Sequence, residues 1–262
     1  MTNPSMRVER DGALARITFT QADRGNPIDG EFCSAFGDIA DDISEDRSVR
    51  AVLITAEGKN FSFGGDVRKF QAAKDDLPKL IKEWTRDLHV GIARLQRMDA
   101  PIVAAIQGIC TGGMTGTIAG SDIVLIEPST KFVAAYAGIG YSNDASSSVM
   151  FARRMGIARA KRFLIMNEIL DAEAAVAAGL ADEIVPADGL LARAEEIAKR
   201  LAQGPTRAFG EIRRLLNSVG DQPLETQLEL EAQALARIAR TADAQEGLTA
   251  FVEKRKPQFR GE

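Results

Sequence analysis

Two short runs of this chain combine residue types that can hold an anion. One is residues 61–67, Phe-Ser-Phe-Gly-Gly-Asp-Val, and the other is residues 108–114, Gly-Ile-Cys-Thr-Gly-Gly-Met. Glycine lets a backbone turn sharply and lets a ligand come close to the amides. Each run follows an apolar segment that reads as a strand and precedes one that reads as a helix. If those strands are neighbours in one sheet, the loops can aim two free N–H groups at one point. That arrangement suits a carbonyl oxygen that becomes anionic, such as a thioester oxygen when the adjacent carbon loses a proton. The helix after Gly113 would add the positive end of its dipole. Tight turns alone would also account for either loop taken singly.

Three other side chains have types that do chemistry. His89 is the only histidine of the chain and sits at the edge of an apolar helical stripe. A lone histidine there can equally be structural. Asp144 lies in the polar loop 139–144, before an Ala/Ser-rich helix start, where aspartate is also a favoured cap. Tyr136 precedes that loop and can serve as a packing residue with a satisfied hydroxyl.

The elements that must position these groups are legible in outline. Asp11-Gly12 is a turn pair, and residues 13–19 read as a strand of a hairpin. Phe32, Phe36, Ile39 and Ile43 recur at helical spacing. Residues 51–55, 102–106 and 123–126 are short apolar strands. Leu77, Ile81, Trp84, Leu88, Ile92 and Leu95 form one stripe of a long helix that Pro101 terminates. After residue 145 strand signals nearly vanish, with one short strand near Ile184-Val185. Asp171, Asp188 and Pro205 stand where helices should start. Strand–helix alternation followed by helices predicts an α/β core over residues 1–200 and a helical C-terminal region over 201–262.

Composition sets further bounds. The chain has 262 residues, 45% hydrophobic and 27% charged, which is ordinary for a globular protein with its own core. Only two cysteines, Cys33 and Cys110, are present, so neither a disulfide framework nor a four-thiolate zinc site is expected. The first ten residues lack the apolar region of a signal peptide, and no stretch is long and apolar enough to span a bilayer. A cytoplasmic location and no membrane partner are expected. With 33 basic and 37 acidic residues the net charge is −4, which counts against nucleic acid as a partner.

Five segments, in order, resemble the enoyl-CoA hydratase/isomerase (crotonase) superfamily. Arg24-Gly25-Asn26-Pro27 is similar to its N-terminal Arg-x-Asn signal. Residues 61–67 resemble its first glycine loop, and residues 101–122 its strand and Gly-Gly-Gly segment. Residues 172–186 and 251–259 resemble its later Ala-x-Glu-Ala and Phe-x-Glu-Lys-Arg-x-Pro-x-Phe segments. The resemblance implies an α/β fold, a crotonase-like spiral of ββα units with a helical C-terminal trimerisation region, assembled as a homotrimer or dimer of trimers. It implies that the amides of Gly65 and Gly113 form an oxyanion hole for an acyl-CoA thioester. No permanently bound cofactor or metal is implied; coenzyme A enters as part of the substrate. It would lie near Arg24, Phe61, Phe63, Gly64, Asp66 and Arg68, with Phe251 and Lys254 close to its phosphates.

Departures from the family pattern bear on the reaction. The two glutamates of the hydratases are replaced by Gly116 and Tyr136, which argues against ordinary hydration, because hydration needs a carboxylate to activate water and a proton for the α-carbon. Residues 139–144 resemble instead the chlorobenzoyl-CoA dehalogenases, where Asp144 would be a nucleophile and His89 a general base. Some CoA isomerases also place an aspartate at this loop. Isomerisation or another enolate reaction leads, with dehalogenase-like hydrolysis close behind. Outside catalysis, the alternative is a silent paralogue that binds CoA thioesters or RNA.

Overall fold

A computed structural model describes residues 2–262, with side chains from residue 4 onward. The chain opens with β1 (Thr2–Asn3), β2 (Met6–Asp11) and β3 (Leu14–Phe19), the latter two closed by the Asp11-Gly12 turn with Gly12 at φ +58°. Asp29 then caps α1 (Gly30–Glu45), accepting from the Phe32 amide at 3.0 Å. Next come β4 (Ala51–Ala56), α2 (Val67–Ala73), α3 (Leu77–Arg97), β5 (Ile102–Ile106), β6 (Ile109–Thr111), α4 (Gly112–Ala119), β7 (Ile123–Ile126) and β8 (Lys131–Val133). The later half holds α5 (Ser147–Met155), α6 (Ile157–Ile165), β9 (Ile169–Leu170), α7 (Ala172–Ala177), β10 (Glu183–Ile184), α8 (Leu190–Ala202), α9 (Thr206–Ser218), α10 (Leu224–Ile238) and α11 (Ala242–Val252).

The main sheet runs β1-β2-β3-β4-β5-β7-β10, parallel from β3 onward, and a smaller one runs β6-β8-β9. After β5 and after β7 the chain lays a second strand, β6 or β8, in the small sheet, which is the repeat of the ββα spiral. In the first turn the second strand shrinks to one bridge between Ser62 and Cys110. Alternation along the strands splits the interior in two. Val52, Ile54, Ala104, Ile106, Val124 and Ile126 face the large core with Phe19, Phe32 and Phe36. Leu53, Val103 and Leu125 face the other way, against Ile197 and Leu190 of the α8 region.

The structure adds elements that the apolar pattern does not announce. Strands β6, β8 and β9 have two or three residues, too few for a period to show. The region after 145 therefore contains β9 besides the strand near 184, and α5 begins at Ser147. Asp171 caps α7 through the Ala174 amide at 2.9 Å. Asp188 makes no such cap, since α8 begins after Gly189. Buried Arg213 of α9 ties the C-terminal helices to the core, donating to the Leu95 carbonyl at 2.9 Å and to Asp122 at 2.9 Å. Among the described residues no helix is long and apolar enough to cross a membrane.

Candidate active site

The ends of β4 and β5 lie side by side, so their loops meet. The Ser62 amide donates to the Ile109 carbonyl at 3.1 Å and the Thr111 amide to the Ser62 carbonyl at 3.0 Å. Gly64 has φ +76°, and a Cβ there would stand 2.8 Å from the Thr111 carbonyl oxygen, so only glycine permits this approach. Its own amide is taken by the Ser62 hydroxyl at 3.0 Å. The Ile28 amide donates to the Gly64 carbonyl and the Asp66 amide donates to the Ile28 carbonyl, at 2.8 and 3.1 Å. Those two bonds turn the intervening Gly65 N–H to the opposite side, where it has no acceptor among the described residues. Gly113 is the second residue of α4, among the first-turn amides that a helix leaves unpaired, and it too lacks an acceptor. Both glycines line one cavity of about 270 Å³.

Asp144 lines the same cavity and is the only acidic residue lining it among the described residues. Its loop is held in an unusual path. Ala145 and Ser146 are left-handed at φ 51° and 63°, which costs on the order of 1 kcal/mol each for residues with a Cβ. The Asp144 carbonyl accepts from the Ser147 amide at 3.0 Å and from the Tyr136 hydroxyl at 3.0 Å, and Ser146 Oγ donates to the Gly116 carbonyl at 3.1 Å. Asp144 does not cap α5; its Oδ1 pairs with His89 Nε2 at 2.8 Å. Burial pushes the Tyr136 phenol up to about 12, so this hydroxyl stays protonated and holds the Asp144 backbone. His89 does not line the cavity. It faces a second, open cavity behind Asp144, with Asn143, Arg153 and Asn217. His89 therefore meets Asp144 from outside the ligand cavity.

The model of the enoyl-CoA hydratase/isomerase family matches residues 9–262. The chain belongs to the enoyl-CoA hydratase/isomerase family. An Escherichia coli (strain K12) protein named 1,2-epoxyphenylacetyl-CoA isomerase is 30% identical over 246 residues, covering 94% of each chain. An Arthrobacter protein named 4-chlorobenzoyl coenzyme A dehalogenase-1 is 29% identical over 227 residues, 86% of this chain and 82% of that one. The crystal structure of an enoyl-CoA hydratase/isomerase from Cupriavidus metallidurans CH34 has a TM-score of 0.91 at 26% identity, covering 100% of this chain and 98% of that one. The fold is thus the one the motifs imply.

The other residues singled out in this enoyl-CoA hydratase/isomerase family member fall into three groups. Phe63 is half exposed and lines the cavity; Arg68 nearby in sequence is exposed with no partner among the described residues, and Asp66 caps α2 through the Lys69 amide at 3.1 Å. Arg24 is bound within the chain to Asp29 at 2.8 Å and Asp66 at 3.0 Å. Burial pushes the Asp29 carboxyl up, yet Lys69 at 2.7 Å, the Phe32 amide and Arg24 together hold it below the usual carboxylate range. Phe61 belongs to a second group, the core: it is fully buried, edge-on to Phe19 at 5.5 Å, so its side chain cannot touch a ligand. Phe251, 83% exposed, and Lys254, left-handed at φ 57°, form the third; they close α11 and do not line the cavity of the protomer.

Cavity residues that the sequence did not single out for this role include Cys33, Phe70, Trp84 and Tyr141. Trp84 carried the signal of a core stripe only. Burial pushes the Cys33 thiol up to about 12, which leaves it a poor nucleophile. No cluster of His, Cys, Asp or Glu that could hold a metal occurs among the described residues.

Gly116 shows why one hydratase glutamate has no place here. A Cβ at this position would overlap the Ser147 hydroxyl and stand 2.7 Å from the Ala145 carbonyl oxygen. Gly116→Glu is therefore expected to destabilise the protein by about 1–3 kcal/mol through overpacking, read by denaturant unfolding, without creating hydration of crotonyl-CoA.

Proposed function

We propose that this chain is an acyl-CoA enzyme that relocates a proton on the carbon skeleton of its thioester through an enolate, in isomerisation or a closely related reaction rather than simple hydration. The observation that carries the proposal is one cavity lined by Gly65 and Gly113, whose amides have no acceptor among the described residues, and by a single carboxylate, Asp144. The amides donate to the thioester oxygen and stabilise the negative charge it gains. Asp144 takes a proton from one carbon and returns it to another, which one carboxylate can do alone. His89 and Tyr136 position it, one through the carboxylate and one through the main chain. Coenzyme A lies along Arg24, Phe63, Asp66 and Arg68, as part of the substrate and not as a resident cofactor. Incubation with crotonyl-CoA and with a β,γ-enoyl-CoA tests the reading. Hydration is expected to be slow or absent, while the β,γ double bond moves into conjugation. Brisk hydration of crotonyl-CoA without any double-bond shift would overturn it.

The His89–Asp144 pair favours a second reading, a dehalogenase-like hydrolase. Asp144 would form a C–O bond to an aryl carbon as halide leaves, and water would hydrolyse the ester. A covalent adduct on Asp144, found by mass spectrometry after a single turnover of a halobenzoyl-CoA, would establish it. We further propose a homotrimer or dimer of trimers. Leu235, Leu248, Phe251 and Val252 of the last helices are 63–83% exposed in the protomer, an apolar surface that a partner copy would cover.

A further inference from the structure

The chain contains one tryptophan and two tyrosines, and all three, Trp84, Tyr136 and Tyr141, line the candidate cavity. Phe63 and Phe70 join them there, whereas the seven largest fully buried rings of the interior are all phenylalanine. The cavity aromatics come from separate parts of the chain: the first glycine loop, α2, α3 and the 136–141 segment. Phe70 lies 5.6 Å from Trp84, tilted, and 6.3 Å from Tyr141, stacked, so these three rings form one wall, with Phe63 and Tyr136 lining the same cavity.

Aromatic side chains stand beside both glycines. A Cβ built at Gly65 would lie 3.2 Å from the tip of the Phe70 ring, and one built at Gly113 would lie 3.4 Å from the Tyr136 hydroxyl. Whatever is attached to a carbonyl held by those amides therefore sits among aromatic faces and edges. Among the described residues no lysine or arginine lines the cavity and Asp144 is the one carboxylate that does, so a negatively charged acyl group is disfavoured. A dry cavity of roughly 150 Å³ admits benzene. The space here, about 270 Å³, takes one ring and the short link to a thioester.

We propose that the acyl group this site selects is a flat, uncharged aryl group one or two bonds from the thioester carbonyl. The inference rests on the reading of the cavity as an acyl-CoA site. Aromatic pairs are offset-stacked or edge-to-face at 4.5–7 Å, and one such pair strengthens binding by up to about tenfold beyond simple burial. A saturated chain of equal carbon count gains the burial and not the pairing.

Trp84, the sole tryptophan, makes the test independent of turnover. Phenylacetyl-CoA, octanoyl-CoA and free CoA are titrated into the full-length protein, following tryptophan emission and, in parallel, binding heat. The aryl thioester is expected to bind about tenfold more tightly than octanoyl-CoA and to alter Trp84 emission. In Phe70→Leu, and separately in Tyr141→Leu at the exposed end of the wall, that ratio falls to within about threefold. Equal or tighter binding of octanoyl-CoA, or a ratio unchanged in both variants, overturns the aryl assignment and leaves the thioester reading standing. If neither thioester binds better than free CoA, the thioester reading itself falls and takes this inference with it.

Discussion

Asp144→Asn is expected to lower turnover by about 10³-fold or more while leaving the dissociation constant for the thioester within about threefold. A positioned general base contributes roughly 10²–10⁴-fold, and no second carboxylate lines the cavity to substitute for it. Asparagine keeps the size of the side chain and an oxygen that can still accept from His89. The loop is held mainly through the backbone, by Tyr136 and by the Ser147 amide, and those bonds survive the change. The loss therefore isolates basicity. Steady-state kinetics with a β,γ-enoyl-CoA, together with equilibrium binding of a saturated thioester, read the two quantities separately. Turnover within tenfold of the parent protein would remove Asp144 from the mechanism.

The second large effect concerns a main-chain donor, which ordinary side-chain substitution does not delete. Gly113 occupies the first turn of α4, where proline is tolerated in place of an amide that has no helical partner. Gly113→Pro removes the N–H. Gly113→Ala keeps it. Both add a Cβ that meets the Ile28 Cδ1 at 3.1 Å and the Ala145 Cβ at 3.2 Å, so this part of the crowding is shared, and proline adds its ring carbons besides. Relative to the alanine variant, the proline variant is expected to lose a further 10²–10³-fold in turnover, the about 2.7–4 kcal/mol that an oxyanion donor supplies. Unfolding midpoints of the two variants establish that the comparison is made on folded protein. Equal rates for both would mean that the Gly113 amide holds no developing charge.

Much of this framework could be read from the residues. The apolar runs ending in glycine loops place β4 and β5, and the stripe from Leu77 to Leu95 places α3. What stayed hidden depends on partners distant in sequence. That Gly65 has a free amide and Gly64 does not is decided by the bonds of Ile28 and by the Ser62 hydroxyl. Asp144 reads as a helix cap because its neighbours suit a helix start; its actual partner, His89, lies 55 positions away. The left-handed Ala145 and Ser146 carry no local signature, since neither residue type favours that conformation. Trp84 and Phe61 illustrate the converse pair of errors. A stripe residue turns out to face a cavity, and a motif residue turns out to be core.

The central claim is that one carboxylate and two amides exchange a proton on a thioester-activated carbon. Incubating the protein with a non-isomerisable saturated acyl-CoA in heavy water, and following deuterium at the α-carbon by mass spectrometry, tests it most directly. The account predicts steady exchange by the parent protein and none above background by Asp144→Asn or Gly113→Pro. Exchange that persists in Asp144→Asn at the parent rate would contradict it.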